Sequence, residues 1–269
     1  MKTLLLHLTD GPNIAASQLL ARKMAARNQS HLIGMFVVPT VLSVYWGTDS
    51  GEILPHLHEQ FLVTAKRVTE TFAADCAADG LSFETKIVEG SILPVIAEAS
   101  RVVDLTIAAK YNSPPATLLE MEASIQDLAL STASPALIVP HSFDGDVGNR
   151  ILVTWNNSRE SSHAVREALP LLKAAQHVTL FAVNPASAED IPMDGITRYL
   201  SRHGITADVS TAIAKDNSVT EAILAKASQT GSDLIVMGAW GHSRLRELVL
   251  GGTTRDVLRL SPLPVMMTH

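Results

Sequence analysis

Residues 175–185, AQHVTLFAVNP, align without gaps on residues 29–39, QSHLIGMFVVP, at an offset of 146 (175 − 29). The same offset lays ILVTWN (151–156) on LLHLTD (5–10). Later in each half, SDLIVMGAW (232–240) lies on VDLTIAAKY (103–111) at an offset of 129 (232 − 103), and this alignment continues to PVMM (264–267) over PALI (135–138). A chain that repeats itself at this period is two copies of one fold, not one large domain. The offsets differ by 17 (146 − 129), so the first half carries about 17 extra residues, expected within TVLSVYWGTDSGEILPHLHEQ (40–60).

Each half reads β-α-β-α-β-α-β-α-β. In the second half strands are expected near 150–155, 178–183, 206–213, 233–238 and 264–268, and helices near 159–174, 190–203, 218–230 and 253–260. Several strands are short apolar runs rather than alternating ones, as in a parallel sheet covered on both faces. Strands alternating with helices imply right-handed crossovers. The fold class is therefore α/β, with two repeated domains, each a five-stranded mostly parallel sheet with helices on both faces. Pro170 is expected to kink or break the helix it interrupts. SFDGDVGN (142–149) has linker composition, which places the domains at 1–147 and 148–269.

A length of 269 residues suits two such domains of roughly 130 residues each. The net charge of −6 argues against a nucleic-acid binder or a polybasic membrane surface. One cysteine, Cys76, excludes an intramolecular disulfide and any multi-cysteine metal centre. The opening MKTLLLHLTDG has too short an apolar run for a secretory signal, and no window approaches the ~18 apolar residues of a membrane span. A cytoplasmic setting is expected.

The most specific stretch is MGAWGHSRLRELVLGGTTRDVL (237–258). Gly238 ends a buried strand. Gly241, Gly251 and Gly252 follow, and Thr253 or Thr254 is expected to cap a helix. Glycines let backbone N–H groups approach a phosphate, and a helix N-terminus favours an anion. His242, Arg244 and Arg246 lie nearby in sequence. The pattern is neither G-x-G-x-x-G nor a P-loop, since no G-K-[ST] is present.

G-x2-G-x9-G, after a strand and before a helix, resembles the nucleotide-binding signature of the universal stress protein family. RILVTWNNSRESSHAV resembles that family's first strand and helix, DLIVMG its fourth strand, and SPLPVMM the approach to its fifth. The resemblance covers the chain as two tandem copies. It implies flavodoxin- or Rossmann-like (adenine nucleotide alpha hydrolase-like) domains. It also implies pairing of fifth strands, here 135–140 and 264–269, within the chain or in a homodimer. For the second half it implies binding of ATP, or of ADP or AMP, with Mg. The phosphate side would be Gly238, Gly241, Gly251, Gly252 and Thr253, and the adenosine side Thr154, Asn156 and Val183.

Three positions depart from the family pattern. Gly252 stands where a Ser or Thr follows the third glycine, Asn156 stands where Asp often ends the first strand, and Asp216 lies in AKDNS, where Gly often follows the third strand. In the first half, offset 129 replaces Gly238, Gly241 and Gly251 by Ala109, Asn112 and Glu122. Glu120 and Glu122 would repel a polyanion, and Pro114 and Pro115 remove N–H donors. That half keeps Asp10 and VEGS (88–91), compatible with a different small ligand. No G-x-S-x-G elbow or H-E-x-x-H is present, so slow ATP hydrolysis is the most the residues suggest. His56 and His58 lack further metal ligands in sequence. His7 and Cys76 read as packing residues. The expected function is regulatory nucleotide binding in a stress response, through an unknown protein partner. The alternatives are a nucleotide-independent scaffold or chaperone-like protein, and a slow ATPase.

Overall fold

A computed structural model describes residues 1–11, 14–39, 53–110, 125–183, 193–214, 219–239 and 252–269. They form two units, Met1–Asp144 and Gly145–His269.

In the first unit the strands are β1 (Thr3–Leu8), β2 (His31–Val38), β3 (Ser82–Glu89), β4 (Leu105–Ala109) and β5 (Ala136–Val139). The helices are α1 (Ile14–Asn28), α2 (Ile53–Ala78), α3 (Ile92–Ala99) and α4 (Ile125–Ser131). The strand order is β3-β2-β1-β4-β5, all parallel. Leu4, Leu5, Leu6 and Leu8 of β1 are all buried, so this central strand is covered on both faces. Gly34 on β2 leaves room for the Phe72 ring of α2, against which a Cβ would collide.

The second unit repeats the order as β8-β7-β6-β9-β10, again parallel. Its strands are β6 (Arg150–Thr154), β7 (His177–Val183), β8 (Ala207–Ala212), β9 (Leu234–Gly238) and β10 (Val265–Thr268). Its helices are α5 (Arg159–Ala174), α6 (Met193–Arg202), α7 (Val219–Gln229) and α8 (Thr253–Leu260). The offset of 129 carries β4 onto β9 and β5 onto β10 residue for residue. Helix α2 has 26 residues against 10 in α6, a difference of 16, close to the extra length read from the repeat.

Two local expectations are corrected. Helix α5 runs unbroken through Pro170. The proline is exposed, so the carbonyl it leaves without a partner, that of Arg166, is on a face water can reach. The residues 147–149 within SFDGDVGN are not free linker. Val147 is buried, and the N–H groups of Gly148, Asn149 and Arg150 donate to the Asp233 carboxylate at 2.7, 2.9 and 3.0 Å.

The first unit uses the same clasp at the repeat-related aspartate. The N–H groups of Lys2 and Thr3 donate to Asp104, and these bonds hold its carboxyl below the usual aspartate value. The clasp therefore stabilises the fold above the unfolded-state pKa of 3.8, and this stabilisation is lost as pH falls through the lower folded-state value. Asp104→Asn is expected to remove that acid dependence and to lower stability at pH 7 in urea melts. The same substitution at Asp233 leaves three N–H groups with a weaker acceptor and is expected to cost about 1–2 kcal/mol.

Candidate functional site

In an open parallel sheet the ligand crevice lies outside the carboxyl ends of the strands, where the strand order reverses. In the second unit that point lies between β6 and β9, which pair directly. Thr154, Gly238 and Val183 end β6, β9 and β7, so three expected site residues share this edge. The Trp155 N–H donates to the Phe181 carbonyl at 2.8 Å and extends the β6–β7 pairing past Thr154.

Asn156 lies in the turn after β6. Its Oδ1 accepts from the Ser158 N–H at 3.2 Å, so this oxygen shapes the turn while the amide NH2 remains as a donor. Asn157 follows with φ of 60°, a left-handed conformation that asparagine tolerates. Ser158 then caps α5, accepting from the Ser161 N–H at 3.1 Å.

Gly238 has a packing role that the sequence did not disclose. A Cβ on it would lie 2.5 Å from both the Glu160 carbonyl carbon and the Ser161 nitrogen. The missing side chain thus lets the end of β9 touch the first turn of α5, backbone against backbone.

The start of α8 corrects the capping expectation. Gly252, not a threonine, occupies the N-cap, with φ −62° and ψ 110°, and has no side chain with which to cap the helix. Thr253 is the first residue inside. A hydroxyl at the N-cap would occupy one of the orphan N–H groups; with glycine there they keep their capacity to bind an anion. Helix α5 is closed by a serine and α8 is not.

Gly241 and Gly251 lie outside the described residues, as do His242, Arg244, Arg246 and Asp216. So do Asn112, Glu120 and Glu122 of the first half. At the first unit's equivalent edge, Ala109 carries the Cβ that Gly238 lacks. The next residue, Lys110, is buried, and desolvation lowers its ammonium pKa. Cys76 is buried in α2, and burial pushes its thiol up to about 11, which keeps it protonated and unreactive at neutral pH. His58 lies 3.7 Å from Glu89; the His56 side chain is outside the described residues.

The family model for the universal stress proteins matches residues 148–269, the half that carries this edge. The second unit is thus similar to the universal stress protein family. A universal stress protein of Synechocystis sp. is 26% identical over 149 residues, covering 54% of this chain and 50% of that protein, so the match spans about half the length of this curated relative. Across both halves the fold is that of a universal stress protein from Archaeoglobus fulgidus, at TM-score 0.78 and 19% identity, with 98% of this chain and 95% of that one covered. A Pseudomonas aeruginosa protein described as functionally unknown has TM-score 0.60 at 18% identity, with 99% and 92% covered. At these identities the structural likeness concerns the fold.

Sequence reasoning missed a second group of residues. Trp155, Asn157, Ser162, Arg166, Ile196 and Tyr199, with Gly195, line a cavity of about 240 Å³ against α5 and α6. Two spacings held the signal. Ser162 and Arg166 are four apart on α5, and Gly195 and Tyr199 are four apart on α6, so each pair shares one helix face. Among the described residues no helix is long and apolar enough to cross a membrane.

Proposed function

We infer that the second unit binds an adenine nucleotide, ATP or its di- or monophosphate, at the carboxyl edge of its sheet. The observation that carries this reading is the pairing of an uncapped α8 N-terminus at Gly252 with the strand ends Thr154, Val183 and Gly238. Phosphates would meet the N–H groups of Gly251, Gly252 and Thr253, with Gly241 in the same loop. Adenosine would lie toward Thr154, Asn156 and Val183. When bound, magnesium would offset phosphate charge. Binding is regulatory in this reading: the nucleotide-bound state is read by a protein partner in a cytoplasmic stress response. Residues suited to rapid hydrolysis are not evident in the sequence, so turnover is slow at most.

Gly238 is a poor test position, because any side chain there disturbs α5. Gly251→Glu introduces the residue found at the repeat-related position of the first half. It is expected to weaken ATP binding by at least ~100-fold through repulsion in the phosphate loop while leaving the urea midpoint unchanged. Equilibrium dialysis with labelled ATP reads the first quantity. Undiminished affinity in a folded variant would remove the phosphate loop from the reading.

A further inference from the structure

The cavity against α5 and α6 lies on a different side of the strand end from the nucleotide edge. Thr154 ends β6 and Trp155 follows it, still paired to β7 through its backbone N–H, so their side chains leave on opposite faces of the sheet. Trp155, on the face covered by α5 and α6, is 6% exposed. Its indole N–H is buried and has no acceptor among the described residues. A buried donor without a partner is costly, and a ligand acceptor relieves that cost.

The lining narrows what such a ligand is. Ser162 already donates its hydroxyl proton to the Ser158 carbonyl at 2.9 Å, so it offers lone pairs rather than a proton. The lining residues that carry free donors are Trp155 (indole N–H), Asn157 (amide NH2), Tyr199 (hydroxyl) and Arg166, whose guanidinium is the one charged group among them and makes no hydrogen bond or ion pair with any described residue. A charged, fork-shaped guanidinium beside the buried indole donor selects an anionic acceptor with two oxygens. The remaining wall is Ile196, Gly195 and the Tyr199 ring, itself held edge-on against His203 at 4.7 Å between ring centres. An aromatic and aliphatic wall favours a flat apolar body. At about 240 Å³ the space is smaller than the roughly 300 Å³ at which drug-sized pockets begin.

We propose that this cavity is a second ligand site, separate from the nucleotide edge, and that it binds a small aromatic carboxylate. The ring lies against Tyr199 and Ile196. The carboxylate accepts from Arg166 and from the Trp155 indole. The proposal does not rest on nucleotide binding.

The test is a titration of the full chain with 2-naphthoate, followed by the indole N–H signals in a two-dimensional proton–nitrogen NMR spectrum. The chain has three tryptophans, Trp46, Trp155 and Trp240, and Trp155→Phe assigns the relevant signal. The expected result is a saturable downfield shift of the Trp155 indole proton with Kd below about 1 mM, as a ligand of this size allows. Arg166→Gln, a substitution at an exposed position, is expected to weaken 2-naphthoate by roughly 10-fold and to leave the neutral 2-naphthalenemethanol unchanged. Tyr199→Ala is expected to weaken both. Saturating ATP is expected to leave the naphthoate shift in place. An unmoved Trp155 signal overturns the proposal. Equal binding of acid and alcohol, unaffected by Arg166→Gln, reduces the cavity to an apolar crevice and overturns it too. Loss of the shift on adding ATP would merge the cavity with the nucleotide site and contradict their separation. If ATP itself does not bind, the nucleotide reading fails while the naphthoate result stands on its own.

Discussion

Gly238→Ala is expected to destabilise the second unit by roughly 2–3 kcal/mol, the cost of forcing a methyl group into a filled space. The obstruction is backbone: the new Cβ would lie 2.5 Å from the Glu160 carbonyl carbon and from the Ser161 nitrogen. Neither atom can rotate away, as the end of a flexible side chain could. Relief requires α5 to move off β9, which disturbs the Ser158 cap and the turn held by Asn156. Gly195→Ala is the matched control. Gly195 lies within α6, and a Cβ there meets nothing within 4 Å. Alanine in a helix is favoured over glycine by roughly 0.5–1 kcal/mol, so that variant is expected to be slightly more stable. Urea melts of both variants check the contrast. A Gly238→Ala protein as stable as its parent would mean that β9 and α5 are not in this close contact.

The second large effect is an acid dependence set by one histidine. His7 lies on the central strand β1, is 3% exposed, and burial lowers its pKa from 6.5 to about 4. Between these values the unfolded chain binds a proton on His7 and the folded chain does not. Stability is therefore complete above pH 6.5 and falls as pH drops toward 4, below which both states are protonated and this contribution is gone. The difference amounts to about 3 kcal/mol over the whole window and about 2 kcal/mol by pH 5. His7→Leu is expected to flatten the decline between pH 7 and pH 5 in urea melts of the first unit's transition. An unchanged slope would assign the acid sensitivity to other groups. The Asp104 clasp acts at lower pH, so the two contributions separate.

The fold was legible because the repeat and the apolar runs agree. Offset 129 fixes β4 against β9 and β5 against β10 to the residue, and buried parallel strands leave an unbroken apolar signal. Local chemistry was less legible where a residue has more than one use. Gly238 reads as a glycine for phosphate approach, yet its backbone contact with α5 alone requires it. Thr253 looks like a cap because it is a threonine before an apolar pattern, while glycine at 252 takes the cap instead. Pro170 looks like a breaker, but an exposed carbonyl partner tolerates it. The run SFDGDVGN (142–149) looks like linker because the partner of its last residues, Asp233, lies more than 80 residues away. The α5/α6 cavity was hidden for a similar reason. Its members come from a strand end and two helices, and a Ser–Arg pair on a helix reads as a solvated face until Trp155 and Tyr199 are brought beside it.

The central claim is a single nucleotide site per chain, at the edge that carries Thr154, Val183, Gly238 and the open start of α8. The most direct measurement is the stoichiometry of adenine nucleotide, found by mass spectrometry of acid-released ligand from gently purified protein and by calorimetric titration of ATP with magnesium. One nucleotide per chain, lost in Gly251→Glu, is the expected result. Two per chain would mean that the first half binds despite Ala109, Glu120 and Glu122. No nucleotide by either method would contradict the account and leave the carboxyl edge to a scaffold.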